Sequence, residues 1–179
     1  MKTDNSYFEE KVLLRLEALE KVEGDIVRVL EMFAGKSLLW QEVRRRTSKA
    51  VSLLSIEKEK GKNPTALTGD NMKFVDALDL DGFDIIDINA YGSCFRQLDA
   101  VLSRGYRGTV IVTDIQSVYG RTSQDLLRYA GFTDGMLKSV RSVIDAHAEE
   151  ALYAYLESKG VYQVTGFFFG RKRYFYFNV

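Results

Sequence analysis

The side chains of this chain best able to do chemistry are acids and amides placed at the ends of short apolar runs. Glu31 starts Glu31-Met32-Phe33-Ala34-Gly35-Lys36-Ser37, Glu57 follows Ala50 to Ile56, and Asp70 stands in Gly69-Asp70-Asn71. Asp87 leads into Ile88-Asn89-Ala90-Tyr91-Gly92-Ser93, and Asp114 follows Thr113. One such acid says little, because acids commonly cap helices or occupy their first turns. A series at successive strand ends has a second reading, since open parallel sheets bind ligands at the carboxyl ends of their strands. Glu57, about 20 residues beyond a glycine turn, has the position of an acid that accepts both hydroxyls of a ribose. Equally, it opens the charged run Glu57-Lys58-Glu59-Lys60. Asp70 either accepts a hydrogen bond from an adenine amine or caps a helix beginning at Asn71.

The glycine turn narrows the choice. A dinucleotide fingerprint needs G-x-G-x-x-G, of which only Gly35 is present. A P-loop needs G-x-x-x-x-G-K-[ST]; Gly35-Lys36-Ser37 supplies its tail, but Leu30 holds the first glycine position. Met32 and Phe33 also lack the freedom to wrap a phosphate in backbone amides. A degenerate P-loop nucleotidase, binding ATP through Lys36 and magnesium, is the lesser alternative. At the other end of the chain Arg171-Lys172-Arg173, interleaved with Tyr174 at a hairpin turn, is either solvated charge or a contact for nucleic-acid backbone and bases.

Periodicity supplies the elements that position these residues. Phe8, Val12, Leu16 and Leu19 mark an amphipathic helix over about 6–22. From Ile26 to Thr113, strands alternate with helices: strands at Ile26 to Phe33, Ala50 to Ile56, Thr65 to Thr68, Phe83 to Ile88 and Gly108 to Thr113, helices from near Lys36, from Asn71 to Leu78 and from Phe95 to Ser103. That order implies a parallel sheet with helices on both faces. A helix at Gln124 to Tyr129 precedes a long one, Gly135 to Lys159, with Leu137, Val140, Ile144, Ala148, Ala151 and Tyr155 on one face and His147 on or beside it, packed. Two aromatic runs, Val161 to Phe169 and Tyr174 to Val179, form a β-hairpin about Gly170-Arg171. The expected organisation is one domain, residues 1–179, with an αβ core over 26–160 and a terminal hairpin over 161–179.

Composition removes several classes of function. One Cys, Cys94, excludes an internal disulfide and multi-Cys metal sites, and one His, His147, excludes multi-His sites. No metal is expected. Lys+Arg and Asp+Glu number 25 each, so nucleic acid would be held by local patches rather than by bulk charge. No apolar run approaches the roughly 18 residues of a membrane span, and Met1 to Glu10 is polar where a signal peptide is apolar. A soluble, reduced, cytoplasmic protein is expected. With Pro64 as the lone proline, Gly, Asn, Asp and Ser must make nearly every turn.

From Val29 to Val118 the sequence resembles class I (Rossmann-like) S-adenosylmethionine-dependent methyltransferases. Leu30-Glu31-Met32-Phe33-Ala34-Gly35 resembles their first motif, Ser55-Ile56-Glu57 their ribose-binding acid, and Thr68-Gly69-Asp70-Asn71 their adenine-binding turn. The terminal hairpin resembles their strands six and seven, which implies a seven-stranded, mostly parallel sheet ending in an antiparallel hairpin. Asp84-Ile85-Ile86-Asp87-Ile88-Asn89-Ala90-Tyr91-Gly92-Ser93 looks like the D-x-x-D-x-D-P-[FY]-G-S signature of tRNA guanine dimethyltransferases, and Thr113 to Gly120 is similar to the T-D-x-x-x-L-x-G stretch that follows it. The resemblance implies S-adenosyl-L-methionine as cofactor, held by Glu31, Phe33, Ala34, Gly35, Glu57, Lys58, Asp70, Asn71 and Asp87. It implies an amine acceptor on a nucleic-acid base, RNA rather than DNA, oriented by Asn89, Ala90 and Tyr91. Asn89 stands where the signature has Asp, and Ala90 where it has the proline that would stiffen the loop. A cofactor-binding or scaffold protein without catalysis, and completion of the site by a partner subunit or a second copy, are the accompanying alternatives.

Overall fold

The apolar runs become strands covered on both faces. The computed structural model describes residues 6–92, 94–116, 122–129 and 131–179, without the side chains of 125, 140 and 141. Helix α1 (Phe8–Lys21) is followed by β1 (Ile26–Met32), α2 (Leu38–Arg46), β2 (Ala50–Glu57), β3 (Leu67–Thr68) and α3 (Asn71–Ala77). Then come β4 (Ile85–Asn89), α4 (Phe95–Ser103), β5 (Thr109–Ile115), α5 (Gln124–Tyr129), α6 (Asp134–Ala146), α7 (Ala148–Ser158), β6 (Thr165–Phe169) and β7 (Lys172–Asn178). The sheet order is β3-β2-β1-β4-β5-β7-β6. Strands β1 to β5 pair in parallel, while β7 is antiparallel to both β5 and β6. Among the described residues no helix is long and apolar enough to cross a membrane.

Alternation along each strand sorts the core into two layers. Val27, Val29, Ile85 and Ile111 face α1 and α2 with Trp40, Val43 and Leu19. Leu30, Met32, Ile86, Ile88, Val110 and Val112 face the other way, against Val75, Leu98, Leu126 and Leu152 of α3, α4, α5 and α7. The expected long helix is two. It breaks at His147, where φ is −113° and ψ 40°, because its apolar stripe serves two cores: Leu137 and Ile144 pack on Leu127, while Leu152, Tyr155 and Leu156 pack on the sheet. His147 is exposed and contacts Glu150 at 3.1 Å, so it is not a packed core histidine.

One row of the α1/α2 face is polar. Register pairs Glu31 with Ser55 on one side and with Asp87 on the other. Asp87 is 0% exposed. Its Oδ2 accepts from Arg15 Nε at 2.8 Å and from Trp40 Nε1 at 2.7 Å, and its Oδ1 accepts from Arg15 Nη2 at 2.9 Å. Arg15, equally buried, spends a third donor on the carbonyl of Lys11. Removing one partner of such a pair strands the other charge in the core. Arg15→Met should therefore lower stability by about 3–5 kcal/mol, and the double variant Arg15→Met with Asp87→Asn should lose less, because Asn leaves no buried charge and still accepts from Trp40. Urea unfolding of the two proteins checks the order; equal losses would show that the charge itself is not what destabilises.

Candidate functional site

Strand order reverses between β1 and β4, the place where open αβ sheets bind ligands. A cavity of about 390 Å³ opens there. The β1–α2 turn contributes Phe33, Ala34, Gly35 and Lys36, with Glu31 beneath them; the end of β2 contributes Glu57 and Lys58, followed by Lys62; the start of α3 contributes Asp70 and Asn71. Opposite stand Asn89, Ala90 and Tyr91 after β4, Thr113 and Ile115 of β5, and Gln97 of α4. Helix α1 adds Phe8 and Lys11.

The β1–α2 turn owes its shape to left-handed backbone. Gly35 has φ +55°, a conformation natural for glycine, but Phe33 (+57°) and Ser37 (+53°) adopt it as well. For residues that carry a Cβ this is strain of the kind retained at functional sites. Glu57 holds the turn: its Oε2 accepts the Gly35 N–H at 2.7 Å and its Oε1 accepts the Glu59 N–H at 2.9 Å. A carboxylate therefore stands where a P-loop would put phosphate. Ser37 lies at the start of α2, yet its hydroxyl donates to Glu31 Oε2 at 2.6 Å instead of capping the helix, and Ser55 donates to the same oxygen at 2.7 Å. Asn63 Nδ2 in turn donates to Ser37 Oγ.

Asp70 does cap α3, accepting from the Met72 N–H at 2.9 Å. Asn71 beside it is 4% exposed, and its Oδ1 is buried with no hydrogen-bond partner. Tyr91 is 58% exposed at the rim, whereas Ala90 is buried.

Three expected site residues lie elsewhere. Asp87 belongs to the interior of β4, which runs on to Asn89; it faces α1 and α2, is consumed by Arg15 and Trp40, and does not line the cavity. Arg173 and Tyr174 are buried in β7, so they offer nucleic acid no surface. Arg173 donates to Asp114 at 2.9 Å, and Tyr174 packs in the α1 layer. Arg171 is exposed at the hairpin turn and Lys172 partly so. Ser93 and 117–120 of the quoted motifs lie outside the described residues. Lys62, Gln97, Ile115, Leu38 and Leu39 also line the cavity without having been singled out, and Phe8 and Lys11 of α1 were the least expected. The signal for the α1 pair was the spacing Phe8, Lys11, Arg15, which runs two basic residues along the stripe by which α1 is buried.

No family model and no curated protein matches the sequence. Solved structures do match in fold. A putative S-adenosyl-L-methionine-dependent methyltransferase from Methanococcus maripaludis aligns over 97% of this chain and 87% of its own, at 11% identity and TM-score 0.52. The S-adenosylhomocysteine-bound methyltransferase PaMTH1 of Podospora anserina aligns over 100% and 80%, at 11% identity and TM-score 0.52. Precorrin-6y C5,15-methyltransferase from Geobacter metallireducens aligns over 92% and 85%, at 14% identity and TM-score 0.52. This chain spans 53% of a larger relative in fold, the CurJ carbon methyltransferase. The fold is the Rossmann-like methyltransferase fold. Its two marks are the reversal at β1/β4, where the cavity opens, and the antiparallel β7 between β5 and β6.

Among the carboxyls that line the cavity, Glu31 is the one that burial shifts most. Burial pushes its carboxyl up to about 7, opposed by the Ser37 hydroxyl and reinforced by the negative Asp87. In the unfolded chain it ionises near the usual 4.5. Below that value both states hold the proton and its contribution is complete; between 4.5 and 7 only the folded state holds it, so stability falls as pH rises through this window. Glu31→Gln keeps the acceptor oxygen and removes the titration. The variant should match the parent near pH 4.5 and exceed it above pH 7 by up to about 3 kcal/mol, the worth of that displacement. Thermal unfolding across pH 4.5–8 reads this, and a constant difference would refute it.

Proposed function

We propose that the cavity binds S-adenosyl-L-methionine and that the protein is a methyltransferase acting on an exocyclic amine of a nucleic-acid base, RNA in preference to DNA, in a cytoplasmic setting. The observation that carries the reading is the cavity's two-sided lining at the strand reversal. On one side are Glu57, Asp70 and the unpartnered Asn71 oxygen; on the other are Asn89, Ala90 and Tyr91. The residues fit the cofactor. Glu57 presents two carboxylate oxygens to a ribose, Asp70 and the buried Asn71 Oδ1 are acceptors suited to an adenine amine, and Phe33 to Gly35 with Glu31 face a cationic methionine end. Lys58, 80% exposed and 3.9 Å from Asp70, frames the same edge. Asp87 has no part in it.

Bound there, the cofactor would supply an electrophilic methyl group. The chain's own task is the acceptor. An exocyclic amine is a poor nucleophile because its lone pair is delocalised into the ring. Asn89 and the carbonyl of residue 90 can each accept one N–H, turning the pair out of the ring plane, while the exposed Tyr91 ring stacks on the base. Asn89 is an acceptor and no base, so catalysis here is positioning.

Isothermal titration with S-adenosylmethionine and S-adenosylhomocysteine tests the reading. Both should bind, and Glu57→Ala should weaken them by about 1.5–3 kcal/mol, the value of charge-assisted hydrogen bonds. Labelled methyl should pass to bulk RNA and be reduced by Asn89→Ala. Cofactor binding without transfer to tRNA, rRNA, DNA or nucleotides would assign a cofactor-binding module lacking catalysis; ATP binding that depends on Lys36 and magnesium would assign the P-loop alternative.

A further inference from the structure

Strands β4 and β5 end side by side at the cavity, and each presents one polar side chain to it. Asn89 pairs with Thr113 in the parallel register, so the two point to the same face, and both line the cavity. One strand spacing, roughly 4.8 Å, separates the points from which they rise. Neither side chain has a hydrogen-bond partner among the described residues.

For Asn89, which is partly exposed, solvent can serve in place of a partner. Thr113 is 2% exposed, a burial at which a hydroxyl is normally hydrogen-bonded. Thr109 shows the ordinary case, since it is also buried in β5 and its hydroxyl donates to Asn178 Oδ1 at 2.7 Å. Valine would suit the strand as well as threonine at position 113, so the fold itself makes no use of the oxygen. What remains for it is the cavity that Thr113 lines.

The spacing says what kind of group would meet that hydroxyl. With the exocyclic amine on Asn89 and the ring stacked on Tyr91, the base turns its edge to the row that Asn89 and Thr113 share. Along that edge the ring nitrogen beside the amine is too close to reach a partner one strand away. The group beyond it stands from the amine at a distance of the same order as the strand spacing. In guanine and cytosine that group is a carbonyl oxygen, to which a hydroxyl can donate. In adenine it is a C–H. An adenine in the same pose would cover Thr113 and give it no acceptor, and a site holding a buried polar group rejects the analogue that leaves it unpaired.

We propose that Thr113 is a specificity-determining residue: its hydroxyl donates to a ring carbonyl across the edge from the methylated amine, so that the acceptor base is guanine or cytosine and not adenine. The proposal rests on the methyl-transfer reading above and names the second group recognised on the same base.

The test is titration calorimetry of the S-adenosylhomocysteine-loaded protein with four short single-stranded RNAs of one sequence, differing only in a central guanine, cytosine, adenine or 2-aminopurine, and with the four free nucleosides. 2-Aminopurine keeps the amine of guanine and lacks its carbonyl. Guanine or cytosine should bind about 5- to 150-fold more tightly than adenine and 2-aminopurine, the effect of leaving one buried hydroxyl unpaired. Thr113→Val, which keeps the shape and removes the oxygen, should bring the affinities together. Thr113→Ser should keep most of the difference, and both variants should bind S-adenosylhomocysteine as the parent does. A preference seen in RNA but not among nucleosides places the base in a strand and supports the proposal. Equal binding of all four by the parent, tighter binding of adenine, binding of none, or a preference that survives Thr113→Val overturns it. Loss of S-adenosylhomocysteine affinity in Thr113→Val also overturns it, by giving the hydroxyl to the cofactor. If the parent fails to bind S-adenosylhomocysteine, the methyl-transfer reading falls, and the same comparison on the ligand-free protein still decides the role of Thr113. Thr113→Ala serves where Thr113→Val unfolds.

Discussion

A carboxylate at the centre of a sheet, out of reach of water, persists only when donors meet it, and Asp87 is met by Arg15 from α1 and Trp40 from α2. Apolar residues of similar volume would often be as stable in such a place. What the ion pair supplies is geometry, because a guanidinium fork fits a carboxylate in few orientations. The arrangement fixes α1 and α2 against β4, and each of these elements delivers part of the cavity wall: Phe8 and Lys11, the turn leading into Leu38, and Asn89 to Tyr91. Moving α1 by one helical turn would remove Lys11 from the site and leave Asp87 charged and unpaired.

The neighbouring position in the same row shows how environment separates two acids. Glu31 and Asp87 are register partners on adjacent strands. Asp87 has a cation; Glu31 has two hydroxyls, from Ser37 and Ser55, and feels Asp87 as a like charge, so burial prevails and holds its carboxyl near 7. Ser37 is available to Glu31 because it adopts left-handed backbone and forgoes capping α2. The strained turn thus supplies a hydroxyl that opposes the rise, and burial together with the charge of Asp87 outweighs it.

The sheet was legible in the sequence because each strand is a short apolar run closed by a turn residue, and the alternation of strand and helix dictates parallel pairing. The cavity wall from Glu31 to Asn71 and from Asn89 to Tyr91 was legible for the same reason, since strand ends define it. Four features were hidden. Asp87 reads as a strand end until β4 is seen to continue to Asn89, which turns its side chain inward. Arg173 and Tyr174 read as a basic aromatic turn until β7 is seen to begin at Lys172 and to pack between β5 and β6. The role of α1 depends on tertiary packing that no local pattern reports, since Lys11 becomes a wall of the cavity only through Arg15. The break at His147 was hidden too, because one apolar stripe serving two cores looks like one longer helix.

Proline use explains how the two critical loops are held. Pro64 lies in the turn closed by Ala66 N–H to Asn63 carbonyl at 3.2 Å, where its fixed φ favours the bend. The same turn lets Asn63 Oδ1 accept from the backbone and hydroxyl of Thr65 while Nδ2 reaches Ser37, so the lone proline steadies the network beneath Glu31. The β4 loop does without one. Ala90 is 3% exposed and packs in the cluster that holds Ile88, Cys94 and Phe95, and the Gly92 carbonyl accepts from the Ile115 N–H at 3.3 Å. Core packing on one side of Tyr91 and a tie to β5 on the other restrain the backbone where a pyrrolidine ring would have done so. An alanine at this position therefore leaves the loop directed, and the placement of Asn89 rests on β5 and the core instead of on local stiffness.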